Sequence, residues 1–267
     1  MVGTQAIGVA LSNGIGLIIG ALTGLMFSSA VFSRSILNEK NRPALNINWR
    51  KIFDLAKRYK KIPIYTLTAD LTGNLSAQLP TMMIGSIFGL KAAAFYGIAN
   101  RLVMTPFQMI GQSVGQVFYG QSANNLRTNK QQYKLVKRTV LNLLLIGSIP
   151  LFVVAVFAHP LFNLVLGAKW HDAAIFAQIL APWWLASFVA MPVMDLFSVL
   201  GSQKYHLYFM SSQLLMRAIC LYVGAYQFHS LVETMAVFSC ASAVLSAFMV
   251  LVLLKKANDF DFQNIDK

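Results

Sequence analysis

Charged and amide side chains recur at helical spacing inside three long apolar stretches of this chain. In the second stretch, Asp70, Asn74 and Gln78 follow one another at four-residue intervals and therefore share one face of a helix. Polar groups are costly to hold inside a membrane-spanning helix, so such stripes indicate a shared, water-filled cavity. The candidate binding residues are Asn74, Gln78, Asn100, Arg101, Gln108, Gln112 and Arg217, and Asp70 is the candidate ion-coupling residue.

These residue types favour the binding of an anionic head group that carries sugars. Arginine presents a planar fork of N–H donors that matches a phosphate group, and Arg101 and Arg217 are the two arginines inside apolar stretches. Asparagine and glutamine amides can pair with hydroxyl groups, because each offers both donors and an acceptor. We therefore predict that the three polar stripes line one cavity.

Structural interpretations of the same residues remain open. Asp70 could neutralise Arg101 across two neighbouring helices, or it could bind a coupling proton or Na⁺. The amide side chains could serve only to join helices, at ~0.6 kcal/mol per interhelical hydrogen bond.

Catalytic and metal-binding patterns are missing from the sequence. It contains no Ser/His/Asp set and no glycine-rich phosphate loop, and its two cysteines, Cys220 and Cys240, lie in apolar stretches without a metal-ligand spacing. The four histidines are scattered near the ends of such stretches. We predict a protein that is not an enzyme and that has no cofactor and no metal site.

Composition places the chain in a membrane. The sequence is 57% hydrophobic and only 12% charged, whereas a soluble domain carries about 25% charged residues. Stretches of about 20 apolar residues suffice to cross a bilayer as helices. The prediction is an all-α polytopic membrane protein with seven transmembrane helices, at about 6–32, 64–88, 92–118, 139–162, 173–200, 207–228 and 231–254.

Basic residues are concentrated on one side of these predicted spans. The loops 33–63, 119–138 and 201–206 and the tail 255–267 together carry 18 of the 22 lysines and arginines. Basic loops stay on the cytoplasmic side of a membrane. The C-terminus is thus predicted to be cytoplasmic and the N-terminus external, and the net charge of +13 needs no nucleic-acid partner.

The loop 33–63 is predicted to contain an amphipathic helix at the membrane surface. Trp49, Ile52 and Phe53 lie on its apolar stripe, together with Ala56 and Tyr59. Basic residues occupy the opposite face, where they would attract anionic lipid head groups. The helix is interpreted either as a simple topology anchor or as an element that also attracts an anionic lipid substrate. The basic residues are Arg50, Lys51, Lys57, Arg58 and Lys61.

Two blocks of sequence resemble a known family. The first block, Ile62–Tyr119, contains a Pro-aromatic entry (Pro63–Tyr65), a Leu-Pro pair, a Phe-Gly turn, an A-x-R-L-x-x-x-P run (Ala99–Pro106) and a V-x-Q-V-F-Y ending. The second block, Leu161–Pro182, has a Gly-x-x-Trp-x-x-Ala loop before a proline-containing helix. Together these blocks are similar to the polysaccharide (Wzx-type, O-antigen) flippases of the MOP exporter superfamily.

The resemblance implies a MATE-like exporter fold, in which two helix bundles surround a central cationic cavity. It implies movement of undecaprenyl-pyrophosphate-linked oligosaccharide across the bacterial cytoplasmic (inner) membrane for O-antigen, lipopolysaccharide or other surface polysaccharide biosynthesis, beside a glycan polymerase and glycosyltransferases. Arg101 matches the family's intramembrane arginine. The chain would be a C-terminal portion, spans six to twelve.

Two other functions remain as alternatives to the flippase. One is a multidrug or cation exporter of the same superfamily, although two arginines inside spans disfavour a cationic substrate. The other is a non-transporting membrane subunit of a glycan-assembly complex, for which Arg101 would be dispensable. A polymerase or ligase is less favoured, because the predicted external loops are short.

Overall fold

The computed structural model describes residues 23–24, 26–31, 49–59, 61–128 and 130–265. All regular structure within these ranges is helical, which confirms the prediction of an all-α protein. The first predicted span, 6–32, lies mainly outside the described residues, of which 23–24 and 26–31 are helical. The chain divides into two units, Met1–Tyr59 and Lys60–Lys267.

The first unit contains the predicted amphipathic helix, α1, over Trp49–Tyr59. Two large apolar side chains of its stripe, Trp49 and Phe53, are 77% and 76% exposed. Two of its basic residues, Lys57 and Arg58, lie in the last turn, where positive charge is favourable to the helix dipole. The location of α1 at a membrane surface stays a prediction.

The second unit consists of six long helices and one short helix in the described residues. Two of the long helices carry the predicted polar stripes of the second and third spans. A 3₁₀ turn at Ala168–Trp170 precedes the helix that begins at His171. The helices are α2 (Lys61–Ile87), α3 (Leu90–Arg127), α4 (Gln132–Leu166), α5 (His171–Val193), α6 (Leu196–Val199), α7 (Gln203–Phe228) and α8 (Leu231–Ile265).

Each of the six later predicted spans corresponds to one of these long helices. The helices run well past the predicted spans at one end: α3 continues to Arg127, α4 begins at Gln132 and α8 continues to Ile265. The sequence 119–138, predicted as a basic loop, is therefore mostly helical, as is the start of the predicted tail. Hydropathy identifies only the apolar part of such a helix and does not show where a polar continuation of the helix ends.

Four helical segments among the described residues are long and apolar enough to cross a membrane, and the protein is a polytopic membrane protein. The helices α2 and α3 do not reach the same hydropathy, because they carry the polar stripes, and their crossing stays a prediction. The four segments are Gln132–Leu166, His171–Val199, Gln203–Phe228 and Leu231–Phe262.

Five helices form a closed ring in which each packs against the next: α2, α3, α5, α8, α7 and back to α2. The α4 helix packs outside this ring against α5, α8 and α3. The most buried of the four membrane-crossing segments contains α5, where small residues such as Ala177 and Ala190 alternate with Trp184 and Phe188, all nearly inaccessible. Small residues let helix backbones approach closely in membranes, which explains the central place of α5.

Glycines lie at close approaches between helices, both within the ring and between the ring and α4. Gly73 of α2 lies against Met210 of α7, where an added Cβ would be 3.1 Å from the methionine sulphur. Gly147 of α4 lies against Phe188 of α5, where an added Cβ would be only 2.7 Å from the aromatic ring. At both positions a larger side chain would require the neighbouring side chain or helix to move.

A set of polar contacts joins the ends of α3, α4 and α8, and we call this set the helix-end network. The Asp261 carboxylate accepts hydrogen bonds from the backbone N–H groups of Gln132 (2.8 Å) and Tyr133 (2.9 Å). These N–H groups begin α4 and have no acceptor within that helix. Ser122 donates to the Gln132 side chain at 2.9 Å, and that side chain donates back to the Ser122 carbonyl at 2.8 Å.

Candidate binding cavity

A cavity of about 510 Å³ lies inside the ring of five helices. All five contribute to its wall, α8 through a single serine, and α5 contributes the aromatic ring of Trp183. The lining residues are Ala69, Asp70, Gly73, Asn74, Ala77, Asn100, Met104, Gln108, Trp183, Ser187, Ala190, Met191, Met194, Met210, Gln213, Arg217 and Ser246.

The cavity brings together five of the eight sequence-predicted site residues, from three helices. They are Asp70 and Asn74 from α2, Asn100 and Gln108 from α3, and Arg217 from α7. Polar residues of three helices thus line one cavity, and the role of these five residues in binding or ion coupling stays a prediction.

Three predicted residues, Gln78, Arg101 and Gln112, do not line the cavity. All three have exposed side chains. At 100° per residue, Gln78 lies about 40° around α2 from Asn74, and Gln112 lies about 40° around α3 from Gln108. The polar stripes therefore begin inside the cavity and continue onto the exposed faces of α2 and α3.

Arg217 is the most buried charged residue of the cavity, with 6% of its surface exposed. Its Nη1 donates to the backbone carbonyl of Ser76 on α2 at 2.9 Å, and its Nη2 donates to Oε1 of Gln213 at 3.0 Å. The guanidinium carbon lies 5.0 Å from the centre of the Trp183 ring, which is a cation–π distance. Arg217 thus joins α2, α5 and α7.

The charge of Arg217 is not cancelled by a bonded carboxylate within residues 61–128 and 130–265, because both of its hydrogen bonds end on neutral oxygens. Its Nε atom is buried and has no hydrogen-bond partner in that part of the chain. A guanidinium offers five N–H donors, and two are used here. An uncompensated buried charge is costly, which favours an anionic ligand at this position.

Gln213 positions Arg217 through a chain of hydrogen bonds into α8. Its Nε2 donates to Ser246 Oγ at 3.3 Å, and Ser246 in turn donates to the carbonyl of Ser242 at 2.8 Å. Because an amide that donates through nitrogen must accept through oxygen, this chain orients Oε1 of Gln213 toward Arg217.

Asn100 has a structural contact as well as a place in the cavity wall. Its Oδ1 accepts a hydrogen bond from Nε1 of Trp184 at 3.1 Å. Trp184 is fully buried in α5, so this bond satisfies an indole N–H that no solvent could reach. The amide nitrogen of Asn100 keeps its donors.

Sequence reasoning missed several wall residues, chiefly Trp183, Ser187 and Ser246. They lie on the two helices α5 and α8, whose sequences are almost wholly apolar. A tryptophan or a serine on such a helix is usually a packing residue, so no pattern separates these three from their neighbours. Gln213 lies one helical turn before Arg217 in the sequence, but its bridging role depends on the position of α8.

Two further hollows differ from this cavity in chemistry. One, of about 710 Å³, runs along one face of α8 and is lined by apolar side chains and Cys240. The other, of about 360 Å³, lies near Phe88, Lys91 and Asp172 at the opposite end of the bundle from the helix-end network. Within the described residues, no group of three or more His, Cys, Asp or Glu side chains could hold a metal ion.

An all-α membrane protein with a polar, arginine-containing cavity is the class that the fold and the site define. Residues 4–175 match the model of a family described as "Polysaccharide biosynthesis protein". The chain belongs to this family, which confirms the resemblance predicted from the two sequence blocks and gives the protein a role in polysaccharide biosynthesis.

The teichuronic acid biosynthesis protein TuaB of Bacillus subtilis (strain 168) is 25% identical over 226 residues. The match covers 82% of this chain and 44% of TuaB, so the chain spans less than half the length of this relative. No solved structure matches the chain. The predicted two-bundle arrangement therefore stays a prediction.

Proposed function

We propose that this chain belongs to a transporter that moves a lipid-linked oligosaccharide, carried on undecaprenyl pyrophosphate, across the bacterial cytoplasmic membrane. One observation carries the proposal: a polysaccharide biosynthesis protein with helices long and apolar enough to cross a membrane contains a cavity whose wall holds a buried, uncompensated arginine. The proposed protein transports its substrate and catalyses no chemical reaction.

The wall of the cavity suits the two parts of such a head group. Arg217 has unused donors for a phosphate oxygen, and the amides of Asn74 and Gln108 can bind sugar hydroxyls. The side-chain amides of Asn74 and Gln108 make no hydrogen bond to another described residue. The lipid tail would remain in the bilayer beside the apolar outer faces of the ring.

The exposed polar faces of α2 and α3 would form the remainder of the pathway. Gln78, Arg101 and Gln112 would be costly to leave against lipid, so a second polar surface is expected to cover them. The chain spans less than half of TuaB, and a further bundle of spans could supply that surface. In this arrangement Arg101 faces the pathway, and Asp70 serves as the proton or Na⁺ site.

The proposed orientation places the N-terminus outside and the C-terminus in the cytoplasm, following the distribution of basic residues. The helix-end network would then lie on the cytoplasmic side. A cysteine introduced into the connection between α3 and α4 should react with impermeant maleimides only in opened cells, whereas labelling of intact cells would reverse the orientation.

Complementation of a flippase-deficient bacterium tests the function. Cells would express this chain, alone or extended by the further spans proposed to cover its polar faces, and surface polysaccharide would be measured. We expect the extended chain to restore it, and we expect Arg217→Ala and Arg101→Ala to reduce it by about tenfold or more at equal membrane levels, because each removes a phosphate donor.

The outcomes separate the candidate functions. Full activity of both arginine variants would reject the phosphate-binding cavity and favour a non-transporting membrane subunit, in which Arg217 merely joins helices. That alternative rests on an observation, since both hydrogen bonds of Arg217 are internal. If the arginine variants instead gave normal surface polysaccharide but the cells lost resistance to toxic cations, the result would indicate a cation exporter that uses Asp70.

A further inference from the structure

The hydrogen bonds of α2 contain a gap at its proline. Pro80 lies inside this helix and has no backbone N–H, so the carbonyl four residues earlier, that of Ser76, loses its helical donor. Ser76 is 1% exposed, and water cannot readily satisfy this carbonyl. A buried carbonyl without a donor is unfavourable by about 1–3 kcal/mol, and proteins almost always supply a partner.

Arg217 supplies the missing donor from the neighbouring helix. Its Nη1 atom lies 2.9 Å from the Ser76 carbonyl oxygen, which is the acceptor that Pro80 leaves open. The close contact of Gly73 with Met210 brings α2 and α7 together one turn away and makes this reach possible. The arginine is therefore both a wall residue of the cavity and a substitute for a backbone amide.

We propose that Arg217 is shared between the Ser76 carbonyl and an anionic ligand in the cavity, so that binding of a phosphate group releases α2 to bend at Pro80. This inference rests on the proposed function for the identity of the anion. It adds a coupling between ligand binding and helix bending, because the guanidinium of Arg217 both binds the ligand and stabilises α2 next to Pro80.

The link follows from competition for one guanidinium. A phosphate oxygen is a stronger acceptor than a peptide carbonyl, because the hydrogen bond to it is charge-assisted at both ends. When Nη1 turns to the phosphate, the Ser76 carbonyl loses its partner, and the observed form of α2 loses its advantage over a form that bends at Pro80 and admits water. A ligand shifts such an equilibrium only through its different affinity for the two forms, and the competition supplies that difference.

A double-mutant cycle tests the sharing. In Pro80→Ala, residue 80 regains an N–H, which satisfies Ser76 and leaves Arg217 free. Melting temperatures of the purified chain would be compared for the parent, Arg217→Ala, Pro80→Ala and the double variant. We expect Arg217→Ala to lower the melting temperature by about 5 °C in the parent and by clearly less in the Pro80→Ala background.

Pyrophosphate binding, measured by calorimetry on the same four proteins with sulfate as a matched anion, tests the release. We expect Pro80→Ala to bind inorganic pyrophosphate several-fold more tightly than the parent, because its arginine has no backbone bond to break. Arg217→Ala should lose binding in both backgrounds. Arg217→Lys, which keeps the charge, replaces the alanine variant if the latter does not accumulate in membranes.

Each result bears on a separate part of the argument. Pyrophosphate binding that is independent of Pro80 would overturn the shared donor and leave the proposed function intact. Absence of binding in all four proteins would overturn both. An equal thermal effect of Arg217→Ala in the two backgrounds would also overturn the sharing, and Pro150→Ala in α4, a membrane proline remote from the cavity wall, provides the matched control for proline removal.

Discussion

The cavity and the helix-end network are two polar regions of one bundle, and they differ in how completely their hydrogen bonds are formed. In the network, Asp261 accepts from two N–H groups at the start of α4, and Ser122 and Gln132 bind each other in both directions. Around the cavity, the Nε of Arg217, the indole N–H of Trp183 and the hydroxyl of Ser187 have no partner within the described residues.

The difference indicates what each region is for. A complete network fixes the ends of helices and gains nothing from a ligand. An incomplete one carries a standing cost that a ligand with acceptor groups can relieve. The three unpartnered groups that share this one cavity wall therefore support a binding site more strongly than the polarity of the wall alone.

The largest effect is expected at Gln213, where positioning and packing coincide. Gln213→Ala removes the acceptor of Arg217 Nη2 and the donor to Ser246, both buried. We expect stability to fall by about 2–3 kcal/mol, because a hydrogen bond to a charged group is lost, and transport to fall with it. Thermal denaturation and surface polysaccharide, each normalised to membrane protein, measure the two effects.

Gln213→Glu is the informative companion, since it retains an acceptor for Arg217 and adds a compensating charge. It should restore most of the stability while leaving transport low, because the arginine would then be neutralised by the protein. Full transport in Gln213→Glu would contradict the view that the uncompensated charge is needed.

A smaller effect, confined to stability, is expected in the helix-end network. Asp261→Ala removes the carboxylate that accepts from Gln132 and Tyr133 at the positive end of α4. Helix N-terminal acceptors of this kind contribute about 1–2 kcal/mol. The melting temperature should fall, and transport per folded molecule should stay at the parental level.

Asp261→Asn keeps one carbonyl acceptor and should fall between the parent and the alanine variant. Should Asp261→Ala abolish transport at normal protein levels, the network would have a functional role, and the contrast with the cavity would be lost.

The sequence predicted the helices and much of the cavity because both depend on local patterns. The apolar stretches located all six long helices of the second unit, and four-residue spacing predicted that Asp70 and Asn74 share a face of α2, as both do in the cavity wall. These inferences need only the helical period and the cost of polar groups in a membrane.

The features that could not be predicted from the sequence depend on how each helix is rotated about its axis and on which helices pack together. Asn100 and Gln108 line the cavity, whereas Arg101, which follows Asn100 in the chain and lies only about 20° around α3 from Gln108, does not. Spacing alone does not show where the cavity wall ends on the helix. The bond from Arg217 to the Ser76 carbonyl needs the α2–α7 pairing, which spacing in one helix cannot reveal. The Asp261 contacts join residues about 130 positions apart.

The smallest expected effect gives the most direct test of where the cavity wall ends. Gln108 and Gln112 are glutamines one turn apart on α3, both exposed, but Gln108 alone of the two lines the cavity. Gln108→Ala should reduce transport by about fivefold, the equivalent of one hydrogen bond to a sugar hydroxyl, with the melting temperature unchanged. Gln112→Ala, the matched control, should change transport less if the enclosed cavity binds the head group. Equal losses would mean that the exposed stripe contacts the substrate as closely as the cavity does, and the binding surface would then extend along α3 toward the covering bundle.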